Sequence, residues 1–140
     1  MIESLARSHP RACISIDTMK AVVARRALEA GARIINDVSS LEDPLMAPLA
    51  AESGAGLVLM HMRGNPGNMQ DAPRYGNVVA EVVSHLENRV HAAIKSGVGR
   101  EQIALDPGIG FGKTLEHNLQ LLANLSALRA PGMAVLLGVS

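Results

Sequence analysis

Aromatic side chains are almost missing from this 140-residue chain, which has one tyrosine (Tyr75), one phenylalanine (Phe111) and no tryptophan. That scarcity argues strongly against a base-stacking platform for nucleic acid. An excess of charge is missing too: Lys plus Arg is 13 and Asp plus Glu is 13, for a formal net charge of zero. A balanced chain is a poor general binder of polyanions or anionic membrane. Cysteine occurs once, as Cys13, so no internal disulfide and no cysteine cluster for zinc can form. No apolar run reaches the roughly 18 residues a membrane span needs. Met1 to Arg11 carries charges and His9-Pro10 where a signal peptide needs an unbroken apolar stretch. What is present is hydrophobic material, 48% of the residues, enough for a packed core. No repeat, low-complexity tract or linker divides the chain. The reading is one soluble, cytoplasmic domain over residues 1–140, with no nucleic-acid and no membrane partner.

Five short apolar runs stand out: Cys13 to Ile16, Arg33 to Ile35, Gly56 to Met60, Ile103 to Leu105, and Met133 to Leu137. Most lack polar alternation, as strands buried on both faces do. Cys13 reads as a small buried hydrophobe in the first of them. Helical stretches lie between. Thr18 can cap a helix over Met19 to Ala30, with Gly31 as its stop, and Pro44 to Ser53 is a shorter helix closed by Gly54. Tyr75 to Ser96 carries one apolar stripe through Val78, Val79, Val82, Leu86, Val90 and Ile94. Leu115 to Leu128 carries another through Leu115, Leu119, Leu122 and Leu125. Repeated strand–helix–strand units mean parallel pairing with right-handed crossovers. A doubly wound open sheet fits, and so does part of an eight-stranded barrel; a barrel normally needs about 250 residues, so length alone favours the open sheet.

Each strand finishes in a polar residue: Asp17-Thr18, Asn36-Asp37, His61, Asp106 and Ser140. The carboxyl ends of parallel strands share one rim, and that rim holds the ligand. Asp17, Asn36 and Asp106 are therefore expected to converge, the competing reading being that each only caps a helix or starts a turn. A carboxylate accepts two hydrogen bonds from an amidine-like edge such as a 2-amino-pyrimidinone, and Asn offers a donor and an acceptor for the rest of the ring. Val58 and Met60 can supply apolar contact. The set suits a flat, donor-rich heterocycle.

Asp106-Pro107-Gly108-Ile109-Gly110-Phe111-Gly112-Lys113-Thr114 is the densest motif. It fails as a nucleotide phosphate loop, because only three residues separate Gly108 from Gly112. Its glycines still allow close backbone approach to a ligand, Gly110 included. Phe111 at the tip is either a core plug or, the preferred reading, a ring facing the ligand. No histidine pair has metal-ligand spacing, so no metal site is expected from these side chains.

These motifs, Ile14 to Thr18, Ile34 to Val38, Leu59 to Gly64 and Leu105 to Lys113, resemble dihydropteroate synthase, in order along nearly the whole chain. The resemblance implies a (β/α)8 TIM barrel in place of the open sheet, with about five of eight βα units here and truncation at both ends. It implies that 4-aminobenzoate displaces pyrophosphate from 6-hydroxymethyl-7,8-dihydropterin diphosphate, giving dihydropteroate for folate biosynthesis. In that family the residues matching Asp17, Asn36 and Asp106 line the pterin pocket, and on that resemblance these three are expected to carry the catalysis here. The Met matching Met60 packs on the pterin, and the Phe matching Phe111 lies toward the aminobenzoate and sulfonamide site. The family also implies Mg2+, with its protein ligand outside this chain, and a homodimer at full length. Two alternatives remain: a pterin-dependent methyltransferase, which shares the Asp-x-Thr and Asn-Asp pieces, and a non-catalytic pterin-binding fragment.

Overall fold

The computed structural model describes residues 1–63, 74–129 and 132–139. Five parallel strands form one sheet: β1 (Ser15–Asp17), β2 (Ile34–Asp37), β3 (Gly56–Met60), β4 (Ile103–Asp106) and β5 (Ala134–Val135). The helices are α1 (Ile2–Ser8), α2 (Ala21–Glu29), α3 (Met46–Ser53), α4 (Val78–Lys95), α5 (Leu115–Ala123) and α6 (Leu125–Leu128). The strands lie side by side in chain order, β1-β2-β3-β4-β5. A doubly wound sheet reverses its strand order at a switch point, and this one does not, so the open sheet favoured by length gives way to an arc of a barrel.

Side chains alternate between the faces of a strand, and residues paired in register share a face. Ile35, Leu57, Leu59, Ile103 and Leu105 therefore point one way, and they form the core with Ala24, Met46, Val82, Leu86, Val90 and Leu128 from the helices. Fully burying one such side chain stabilises by about 1.5–3 kcal/mol. The opposite face carries Asp17, Asn36, Val58, Met60, Ala104 and Asp106. The core thus sits between sheet and helices, and the face left over holds the polar residues.

Several boundaries differ from the sequence reading for local reasons. Thr18 does not cap α2: its hydroxyl accepts from Lys20 N–H, and the helix start is met by Asp43, whose carboxylate accepts from Ala21 N–H at 2.8 Å. Helix α4 begins at Val78, because Asn77 caps it through Ala80 N–H while Glu81 accepts from Gly76 and Asn77 N–H. Tyr75 is thereby released from the helix. Cys13 is exposed and precedes β1, so it is not a buried strand residue. The stretch after Thr114 breaks at Asn124 into α5 and α6, and its buried residues are Leu121 and Leu128; Leu115 and Leu119 are exposed. The short α1 buries nothing and carries an Arg7–Glu3 ion pair one turn apart. Gly64 and Ser140, named above in the motif and at the last strand end, lie outside the described residues.

Candidate functional site

The register brings the predicted polar residues to one face near one rim. Asp17 on β1 is the direct partner of Asn36 on β2, Asn36 of Val58 on β3, and Met60 on β3 of Asp106 on β4. Adjacent strands are about 4.8 Å apart, so the three steps from Asp17 on β1 to Asp106 on β4 span about 14 Å along the sheet, more than the length of one bicyclic ring, and a ring bound between them is met by side chains reaching inward from both ends. Exposure differs across it: Asp17 is exposed, Asn36 half-buried, and Val58, Met60 and Asp106 buried. Asn36 Oδ1 is buried and has no hydrogen-bond partner among the described residues. An orphaned acceptor of that kind usually costs stability, so its retention on this face is a feature that a ligand donor would resolve.

Asp106 ends β4 and opens the glycine loop. Its carboxylate accepts from Gly108 N–H at 2.7 Å. Burial pushes its pKa above the ordinary carboxylate range, opposed by the Gly108 N–H and by the positive charge of Lys113. Gly108 has φ +67°, and a Cβ there would lie 2.0 Å from the His61 carbonyl oxygen; Gly112 has φ +63°, and a Cβ there would meet the Arg63 carbonyl oxygen at 2.5 Å. Only glycine lets this loop lie directly on the backbone that follows β3. Gly110 N–H donates to Asn118 Oδ1 on α5, and Phe111, half-buried, bonds back to Gly108.

Lys113 and His61, which stand in the quoted motifs, were not among the predicted site residues, and both are buried. Lys113 Nζ lies 3.1 Å from His61 Nδ1, 3.1 Å from the His61 carbonyl, and 2.9 Å from the carbonyls of Gly108 and Phe111. An ammonium has no lone pair, so His61 Nδ1 accepts and the ring proton sits on Nε2. Burial lowers the Lys113 pKa to about 7, with Asp106 pulling it back up. Burial, then the charges of Lys113, His85 and Arg63, hold the His61 imidazole neutral, with a pKa of about 3. The only sequence cue to Lys113 is its place one residue after the last glycine of the loop.

The His61 shift has a measurable consequence. Its folded pKa lies below the unfolded value of 6.5. Between those values the unfolded chain binds a proton that the folded chain does not, so stability falls as pH drops from about 6.5 toward 3. His61→Gln should flatten the pH–stability curve in that window, measured by urea unfolding at pH 4.5 and 6.5. An identical slope in both proteins would show that the imidazole is not held neutral.

Asp37, next to Asn36, does different work. It is fully buried on the helix face, and its carboxylate accepts from Ser39 N–H, Ser39 hydroxyl and Leu41 N–H. Ser40, in the same turn, donates its hydroxyl to the Met60 carbonyl at 2.6 Å. That turn ties the end of β2 to the end of β3. A separate cleft of about 600 Å³ opens beside Arg63, Tyr75, Glu81 and His85. None of the seven predicted site residues lines it.

Magnesium finds no cage here: among the described residues no three His, Cys, Asp or Glu side chains gather to hold a metal ion. No helix among the described residues is long and apolar enough to cross a membrane.

Known proteins resemble this chain in sequence and in fold. The model of the pterin binding enzyme family matches residues 1–140. The dihydropteroate synthase of Escherichia coli (strain K12) is 44% identical over 127 residues, covering 91% of this chain and 45% of that protein. The structure of the Stenotrophomonas maltophilia dihydropteroate synthase with imidazole in its active site superposes with a TM-score of 0.94. It is 44% identical, covering 99% of this chain and 52% of that one. The Xanthomonas albilineans enzyme in complex with 7,8-dihydropteroate gives 0.90 at 41% identity, covering 99% and 50%. The chain spans about half the length of the relatives it matches.

Proposed function

The chain belongs to the pterin binding enzyme family, and from that premise we propose that it carries the pterin-recognition face of a dihydropteroate synthase. One observation supports this most: Asp17, Asn36, Val58, Met60 and Asp106 share a single sheet face, and on it the buried Asn36 amide oxygen has no partner among the described residues. The Asp106 carboxylate accepts from the 2-amino and ring N–H groups of a dihydropterin, and Asn36 pairs with the rest of the ring edge. Met60 and Val58 give the ring an apolar bed. Gly110 lets the loop backbone come close, and Phe111 at its tip faces the 4-aminobenzoate.

In the reaction the C–O bond from the pterin methylene to the diphosphate breaks, and the electron pair leaves with pyrophosphate. The 4-aminobenzoate nitrogen bonds to the same carbon and loses one proton. Positive charge develops on the pterin as pyrophosphate departs, and carboxylates already fixed at the ring edge stabilise it. Holding both reactants in place lowers the entropic part of the barrier. The donor set of the described residues does not fit a magnesium cage, and none of these steps runs through the ion. Action in the cytoplasm and pairing of the complete protein into a homodimer belong to the same proposal.

The test is a fluorescence titration of the purified chain with 6-hydroxymethyl-7,8-dihydropterin. Saturable binding, not displaced by an unrelated purine such as adenine, is expected. A flat titration at millimolar ligand would overturn the proposal.

A further inference from the structure

We propose that Lys113 is a positioning residue whose buried ammonium pins the glycine loop after β4 onto the end of β3, and so sets where Asp106 and Phe111 meet the ligand. The side chain is 4% exposed. Its Nζ reaches carbonyl oxygens from two segments far apart in the chain, those of His61 on one side and of Gly108 and Phe111 on the other. Those three carbonyls and His61 Nδ1 converge on one spot, and the three N–H groups of an ammonium are shared among these four acceptors. A neutral amine has two, and an apolar side chain has none.

The glycines show that this is a close docking and not a loose approach. The His61 carbonyl lies where a Cβ on residue 108 would stand, and the Arg63 carbonyl where one on residue 112 would. Two backbones carrying facing carbonyl groups repel each other at such range unless a cation stands between them. Lys113 is that cation. Its charge also acts on the Asp106 carboxylate, which lies in the same loop and belongs to the proposed ring contact. From the other side the Tyr75 hydroxyl donates to the Gly112 carbonyl at 2.9 Å, with the Arg63 guanidinium 4.7 Å above its ring. The loop is thus held at Gly108, Phe111 and Gly112, and Lys113 supplies the first two of these holds.

The claim rests on the proposed pterin site only in its ligand arm. Tyr75 supplies an independent arm, because it is the only tyrosine and the chain has no tryptophan, so its fluorescence and near-UV dichroism report, without any ligand, on the packing where its hydroxyl meets Gly112 and its ring meets Arg63 and His117. Lys113→Met and Lys113→Arg are compared with the unaltered chain at pH 6. In Lys113→Met the Tyr75 signals should move to those of a solvated tyrosine, and the dissociation constant for 6-hydroxymethyl-7,8-dihydropterin should rise at least tenfold. Lys113→Arg should restore the Tyr75 signals and part of the affinity, a charge-dependent rescue that a space-filling role would not give. Unchanged Tyr75 signals in Lys113→Met, with a dissociation constant within twofold, would overturn the proposal. If the unaltered chain binds no pterin, the functional reading fails, and the Tyr75 signals still decide the role of Lys113. If Lys113→Met does not fold, nitrogen-15 spectra of the unaltered chain decide it. A slowly exchanging ammonium for Lys113, and not for the exposed Lys20 and Lys95, supports the role; rapid exchange at all three overturns it.

Discussion

Asp106→Asn should weaken dihydropterin binding by about 1–3 kcal/mol with little change in the stability of the folded chain. The carboxamide keeps one oxygen, and Gly108 N–H already claims an acceptor at this position. The remaining group then turns an N–H toward a ring edge that also donates, so one charged hydrogen bond is lost and a repulsion replaces it. Stability should change little, because relief from burying a carboxylate offsets the loss of its attraction to the buried Lys113 ammonium. An acid whose burial opposes its charge, on the face proposed to meet the ring, is suited to ligand contact more than to the fold. Isothermal titration with 6-hydroxymethyl-7,8-dihydropterin, with a thermal melt on the same samples, checks both halves. An unchanged dissociation constant would remove Asp106 from the site, and a large loss of melting temperature would make it a structural residue.

Gly108→Ala should cost about 2–5 kcal/mol of stability, the sum of left-handed strain and overpacking. The added Cβ would stand 2.0 Å from the His61 carbonyl oxygen, a backbone atom that cannot swing aside. Gly54 gives the matched control: its φ is also +67°, at the end of α3, and a Cβ there meets nothing within 4 Å. Gly54→Ala should therefore lose only the strain, about 1–2 kcal/mol. Urea unfolding of the two variants isolates the clash. Equal losses would mean that the loop does not lie against the end of β3.

The strands and the polar rim were legible because a strand covered on both faces must be apolar along its length, and the first residue beyond it need not be. Ile34-Ile35-Asn36-Asp37 shows the rule and its limit. Both polar residues were visible, but only the register shows that Asn36 faces the sheet's free side while Asp37 is buried among helices to brace a turn. The α5 face was misjudged because leucines occupy more than one side of that stretch. Leu121 and Leu128 are buried where Leu115 and Leu119 had formed the more regular stripe. Periodicity chooses a face only when the other faces are polar. Lys113 was illegible for another reason: its partners are backbone carbonyls, which leave no mark in a sequence. Nothing local could place a lysine between His61 and Phe111 when the contact joins positions 52 residues apart.

The most direct measurement is a crystal structure of the chain with 6-hydroxymethyl-7,8-dihydropterin. The ring should lie across β1 to β4 on the face opposite the helices, its amino-pyrimidinone edge within hydrogen-bond distance of the Asp106 carboxylate, with Asn36 Oδ1 accepting from the ligand. Density for the ring in the cleft beside Glu81 and His85, with Asn36 Oδ1 still unpartnered, would contradict the account.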